Sequence, residues 1–127
     1  MPLPDDLRAV LQNSAICFFS TLMPDGSPQT TQTWADTDGE HILINTVDTH
    51  QKTRNVRRDP RVSLGIGDPA APMRSWAVRG SVVSMTTDGA REHIDALSQR
   101  YLGRPYPGFG GGGGERVLLT VKVETVH

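Results

Sequence analysis

One cysteine in 127 residues excludes an intrachain disulfide. Cys17 sits in an apolar run, where a buried and inert thiol is expected rather than a nucleophile, and a reducing compartment fits that usage. No apolar run approaches the length of a membrane span and no signal-peptide core is present, so a cytoplasmic chain without a membrane partner is expected. Charge of one sign is also missing. The net charge is −1 and the isoelectric point near 6.4, which argues against a general nucleic-acid partner. The four histidines, His41, His50, His93 and His127, are scattered without zinc spacing, so no metal is expected. Neither a Gly-x-Ser-x-Gly elbow nor a Gly-x-Gly-x-x-Gly turn occurs. The five glycines 110–114 lead into Glu115-Arg116 rather than the Lys-Ser/Thr of a phosphate-binding P-loop. With no such motif, an enzyme built on this chain is expected to leave the reactive atom to a cofactor and itself to supply anchoring, orientation and exclusion of water. No catalytic residue is assigned.

Against these absences stands one local excess. Between Lys52 and Arg61 five cations (Lys52, Arg54, Arg57, Arg58, Arg61) face Asp59 alone. Asp48 with Gln51 three residues on has capping-box spacing, Thr49 is a competing cap, and Pro60 forbids continuation, so a short helix is expected here. A helix start presents free N–H groups and partial positive charge, and a lysine one turn in adds a point charge beside them. A Lys/Arg-rich helix is as often a plain solvated face. What distinguishes this one is position: it follows the strand-like run His41-Ile42-Leu43-Ile44-Asn45 directly, and the junction of strand end and helix start suits an anion.

The rest of the pattern is mainly β. A short helix is expected up to about Asn13, a buried strand over 15–22, and a hairpin turn at Asp25-Gly26. The next strand, Gln29 to Trp34, has strong β formers and almost no aliphatic residues, which suits either an exposed face or the wall of a polar site. A turn at 36–39, alternation of Val62, Leu64 and Ile66, a loop over 68–72, and a long strand 74–86 bent at Gly80 follow. A helix then carries Ala90, Ile94, Leu97 and Tyr101, with His93 expected as a surface or packing residue. The glycines 110–114 are expected to form a loop before a closing strand over 117–124. The tally is about six strands and three short helices in one domain over 1–127, with antiparallel hairpins dominant: a mainly β (α+β) small barrel.

The succession Ser20-Thr21-Leu22, Asp25-Gly26-Ser27-Pro28-Gln29, Trp34, Gly39, Ile42 to Thr46, and then Lys52-Thr53-Arg54-Asn55-Val56-Arg57-Arg58-Asp59-Pro60-Arg61-Val62-Ser63-Leu64 closely resembles the pyridoxamine 5′-phosphate oxidase-like split-barrel family. Within it the chain looks most like the short flavin or deazaflavin oxidoreductases, many of which use coenzyme F420. The resemblance implies a six-stranded antiparallel split β-barrel (the FMN-binding split barrel) and a homodimer with cofactor sites at the subunit interface. By that resemblance Asn45, Thr46 and Lys52 hold the phosphate and ribityl-like chain, with His50 and Asn55 in the same block. Thr31, Gln32 and Thr33 lie along the tricyclic ring, and Trp76 and Ala77 contribute from the other side. His50 stands where relatives often carry arginine, and it is only partly charged near neutral pH. The chain ends at Thr125-Val126-His127 without the arginine-rich segment of full-length pyridoxamine phosphate oxidases, so that substrate is not expected.

The implied function is an oxidoreductase that binds coenzyme F420, or alternatively FMN, and transfers a hydride to or from a small organic substrate. The rival is a non-catalytic flavin or deazaflavin carrier or sensor, compatible with the lack of an evident catalytic acid. A nucleic-acid binder using Arg54 to Arg61 is weaker, because aromatics for base stacking are not interleaved there.

Overall fold

The computed structural model describes residues 3–108 and 114–127. Its elements run α1 (Asp5–Leu11), β1 (Ile16–Leu22), β2 (Pro28–Thr33), β3 (Asp36–Thr37), β4 (His41–Val47), α2 (Gln51–Arg58), β5 (Arg61–Asp68), β6 (Ala71–Thr86), α3 (Ala90–Leu102) and β7 (Arg116–Val126). The strands form one curled antiparallel sheet in the order β2-β1-β5-β6-β7-β4-β3. The mainly β split barrel expected from sequence is therefore present, with seven strands instead of six. The additional strand is the two-residue β3, which falls within the expected turn at 36–39 and pairs Asp36 with Leu43 and Thr37 with Ile42.

Alternation builds the core. Cys17 and Phe19 on β1, Val62, Leu64 and Ile66 on β5, Trp76 and Val78 on β6, and Val117, Leu119, Val121 and Val123 on β7 all turn inward. Ile42 and Ile44 join them from β4, and α1 covers the interior with Leu7, Val10 and Leu11. Full burial of each large side chain stabilises by about 1.5–3 kcal/mol before entropy is counted. The long β6 bends where expected: pairing with β7 shifts between Arg79 and Gly80, and a Cβ at Gly80 would lie 2.2 Å from the Lys122 carbonyl oxygen. Two backbones approach there too closely for any side chain.

Three sequence expectations are corrected. The strand from the basic stretch's N-terminal side runs on to Val47, and α2 starts at Gln51 with His50 as its N-cap and no side-chain cap bond. Asp48 is not the cap because its carboxylate accepts the Glu115 N–H at 3.1 Å while its own N–H donates to the Glu115 carbonyl at 2.9 Å. A long-range pairing has claimed the group that local spacing assigned to the helix. The expected loop over 68–72 is a tight connection, because β5 persists to Asp68 and β6 begins at Ala71. Of the expected glycine loop, residues 110–113 lie outside the described residues.

Two features of this frame matter for function. The edge strand β2 keeps one side of its backbone without a strand neighbour, the unpaired N–H and C=O row that any sheet edge offers a ligand. The outer sheet face also carries exposed apolar side chains on β1, with Phe18 47% and Ile16 39% accessible. In register beside them are Gly65 and Gly67 of β5, then Ala77 and Ser75 of β6.

Candidate functional site

A cavity of about 310 Å3 opens between the end of β2, the end of β4 and the start of α2. Gln32, Thr33 and Trp34 form one wall, Asn45 and Thr46 the floor, His50 and Lys52 a second wall, and Ile94, Tyr106 and Arg116 the far side. The local sequence explains each placement. Asn45 and Thr46 are buried at the end of β4, and polar residues at such a point must be hydrogen-bonded. Thr46 Oγ1 meets Thr53 Oγ1 at 3.1 Å, and Thr53 donates to the Val47 carbonyl at 2.6 Å. These bonds dock the first turn of α2 onto the strand it follows, and so fix where Lys52 points.

Lys52 Nζ donates to Thr31 Oγ1 at 3.2 Å, crossing from α2 to the edge strand. Arg116 enters from β7, where Val47 pairs with it across the sheet. Its guanidinium lies 5.1 Å from the centroid of the Tyr106 ring, and its Nε donates to Asn45 Oδ1 at 2.8 Å. Among the described residues neither Lys52 nor Arg116 has a carboxylate ion-pair partner, although five arginine–carboxylate pairs form elsewhere. Burial, then the nearby Arg116 charge, lowers the Lys52 pKa. Burial lowers that of Arg116 as well. His50 is pushed down by burial and by the charges of Lys52 and Arg116, so it stays neutral at physiological pH. Two half-buried cations thus face one cavity without a carboxylate among the described residues, an arrangement in which an anionic ligand would relieve both the desolvation and the mutual repulsion.

Aromatic rings gather beside Arg116. Trp34 stacks on Tyr101 with ring centroids 5.0 Å apart, and Tyr106 meets Trp34 edge-on at 6.0 Å. The Tyr101 hydroxyl donates to the Ala15 carbonyl at 2.7 Å and accepts the Ala35 N–H at 3.1 Å, which holds this stack in place. An amphipathic ligand with an anionic group and a flat ring system suits a cavity lined by both cations and aromatic rings.

Of the residues singled out from sequence, Gln32, Thr33, Asn45, Thr46, His50 and Lys52 meet on the cavity wall, and Thr31 touches it through Lys52. Asn55 does not line the cavity. It is fully buried, its Nδ2 donating to Thr21 Oγ1 at 3.0 Å and its Oδ1 accepting from Gln51 Nε2 at 2.8 Å, a strut that fastens α2 to β1. Trp76 and Ala77 stand away from the cavity on β6, and as neighbours on a strand they face opposite ways: Trp76 is buried while Ala77 lies on the open outer face. Sequence reasoning missed Arg116, Tyr106 and Ile94 as wall residues. Arg116 could be found only by knowing that β7 pairs with β4. His93, expected as a surface or packing residue, is instead bonded into a polar network behind Asn45.

No group of three or more potential metal ligands occurs among the described residues, and none of their helices is long and apolar enough to cross a membrane.

Comparison with known proteins gives the cavity a context. The sequence model described as pyridoxamine 5′-phosphate oxidase matches residues 3–127. A solved structure named F420 reductase is 27% identical, with a TM-score of 0.83 and 98% of each chain covered. A conserved hypothetical protein from Mycobacterium tuberculosis is 25% identical, with a TM-score of 0.70, over 98% of this chain and 82% of the other. General Stress Protein 26 from Bacillus anthracis is similar in fold alone, at 17% identity and a TM-score of 0.67, over 94% and 87%.

Proposed function

Because this chain belongs to the pyridoxamine 5′-phosphate oxidase family, we propose that it is an oxidoreductase holding coenzyme F420, or FMN in its place, in the cavity between β2 and α2. The observation that carries this is the pair of cations, Lys52 and Arg116, that face one cavity with no carboxylate partner among the described residues, beside an edge strand and aromatic rings. The donor set fits the group. Lys52, Arg116 and the amide and hydroxyl of Asn45 and Thr46 would hold the phosphate and the polyhydroxyl chain. The free edge of β2 from Thr31 to Thr33 would lie along the ring. When bound, such a coenzyme supplies a ring that takes or gives a hydride. This chain's part is to anchor the tail, fix the ring against β2 and keep the buried end dry, with a small organic substrate approaching the exposed ring face. Similarity to a protein named F420 reductase favours the deazaflavin over FMN.

The open outer face supports a homodimer. Phe18 and Ile16 stand exposed beside glycines and Ala77, a flat apolar patch that a second copy would cover. In such a dimer Ala77 would be covered with the patch, whereas Trp76 stays in its own core.

A second reading, a carrier or sensor that binds the coenzyme without turnover, is favoured by one observation: among the described residues no Asp or Glu lines the cavity to serve as a proton donor. Parallel absorbance titrations with FMN and F420, followed by stopped-flow mixing of the reduced complex with enones, quinones and nitroaromatics, separate the two. Tight binding with reoxidation faster than buffer alone supports the oxidoreductase. Tight binding without it supports the carrier, and failure of both coenzymes to bind refutes both.

A further inference from the structure

Behind the cavity a chain of polar contacts runs from one element to the next, and its bonding can be assigned without ambiguity. The Asn45 amide is buried. Its nitrogen has two hydrogens and two neighbours, the Ala90 carbonyl at 2.7 Å and His93 Nδ1 at 3.1 Å. Its oxygen accepts from Arg116 Nε at 2.8 Å. The Ala90 carbonyl and the Arg116 guanidinium each allow one role only, acceptor and donor respectively, so the amide cannot be reversed without setting two acceptors and two donors against each other. His93 Nδ1 must therefore be unprotonated and accept. Its other nitrogen, Nε2, then carries the proton and donates to Asp36 Oδ2 at 3.0 Å. Asp36 is in turn held by Arg100 at 2.9 Å and by the Thr37 N–H at 2.8 Å.

We infer that His93, held in its Nε2–H form by Asp36, is a positioning residue: its bare Nδ1 takes the second N–H of the Asn45 amide and, with the Ala90 carbonyl, steadies the amide whose oxygen holds the Arg116 guanidinium at the cavity wall. A histidine on the solvent side of a helix would have no such constraint. Here all three other partners come from distant parts of the chain, Asp36 from β3, Asn45 from β4 and Arg116 from β7. Charged groups act on His93 from each: the Asp36 carboxylate directly, Arg100 through Asp36, and Arg116 through Asn45. A proton added at Nδ1 would oppose the amide nitrogen and leave the Ala90 carbonyl as the one acceptor steadying Asn45 against Arg116. This deepens the anion-binding reading of the cavity and rests on it only for the ligand.

Two substitutions separate positioning from mere packing, because asparagine can place an acceptor where Nδ1 stands and glutamine can place a donor where Nε2 stands. His93→Asn keeps the bond to Asn45 and gives up Asp36. His93→Gln keeps Asp36 and gives up Asn45. The first readout needs no ligand: long-range proton–nitrogen NMR of the wild-type chain is expected to show Nε2 as the protonated nitrogen of the neutral His93 ring, and a slowly exchanging Arg116 Nε–H whose protection is kept in His93→Asn and reduced in His93→Gln. The second is calorimetric titration at neutral pH with inorganic sulfate, a fixed dianion there. Affinity is expected to fall about tenfold in His93→Gln, the scale of one hydrogen bond to a charged group, and about twofold or less in His93→Asn. Protonation at Nδ1, or equal losses in the two variants, would overturn the inference. If the NMR signature holds while neither F420 nor FMN binds, the positioning role stands and the coenzyme assignment falls. If a coenzyme binds while His93 carries its proton on Nδ1, the reverse follows.

Discussion

Replacing Lys52 by methionine should move binding and stability in opposite directions. The substitution keeps most of the hydrocarbon stem and removes the ammonium. In the ligand-free chain that ammonium has one hydrogen bond, to Thr31 Oγ1 at 3.2 Å, and no carboxylate partner among the described residues. Burial and the charge of Arg116 both act against its protonated form. Removing it therefore relieves an electrostatic cost, and the melting temperature should stay level or rise. The liganded chain loses a charge-assisted hydrogen bond to a phosphate, about 1.5–3 kcal/mol. That corresponds to a dissociation constant weaker by a factor of about 10 to 150. Spectral titration with F420 and FMN reads the first quantity, and thermal melting without ligand reads the second. Unchanged affinity would remove Lys52 from the site. A melting temperature lowered by several degrees would show that the lysine is part of the fold, and the anion-site argument would lose its basis.

Arg116→Met should also weaken coenzyme binding, by about tenfold, with the fold retained in circular dichroism. His50→Arg should strengthen it by about threefold to tenfold in the same titration, because a permanent cation replaces a histidine that burial and its neighbours keep neutral. Gly80→Ala should destabilise by about 1–3 kcal/mol in urea unfolding, since the new Cβ would collide with the Lys122 carbonyl. Burial opposes ionisation of Asp36, yet bonds from His93, Thr37 and Arg100 outweigh it and hold its carboxyl at about 2 against an ordinary 3.8. A depressed carboxylate contributes stability above its unfolded pKa and loses it as pH falls toward the folded one. The wild type should therefore lose about 1–2 kcal/mol from this group between about pH 4 and pH 2, a share of the acid limb that Asp36→Asn should lack.

What sequence could show here follows the range over which residues act. Alternation over 62–66 and 117–123, the turn at Asp25-Gly26 and the bend at Gly80 are local patterns. They appear in the structure because a strand's inward face must be apolar and close backbones exclude a Cβ. The polar strand and the lysine of α2 were legible for the same reason: both depart from local expectation, and both border the cavity. Arg116 was not, because its role depends on β7 lying beside β4, a pairing between residues some seventy positions apart. The Asp48 cap failed in the same way, its carboxylate being taken by the backbone of Glu115. Asn55 belongs to a sequence block that suggested cofactor contact, yet burial turned it into a strut, since a motif records which residues recur and not which way each one faces.

The account depends on a ring-bearing anionic coenzyme entering the cavity beside Trp34. The chain has two tryptophans, Trp34 on the cavity wall and Trp76 buried in β6, so intrinsic emission during a titration with F420 reports the event directly. The expected result is saturable quenching that disappears in Trp34→Phe and persists in Trp76→Phe, at a dissociation constant weakened by Lys52→Met. Emission that stays constant with both F420 and FMN, or quenching that follows Trp76 instead, would contradict it.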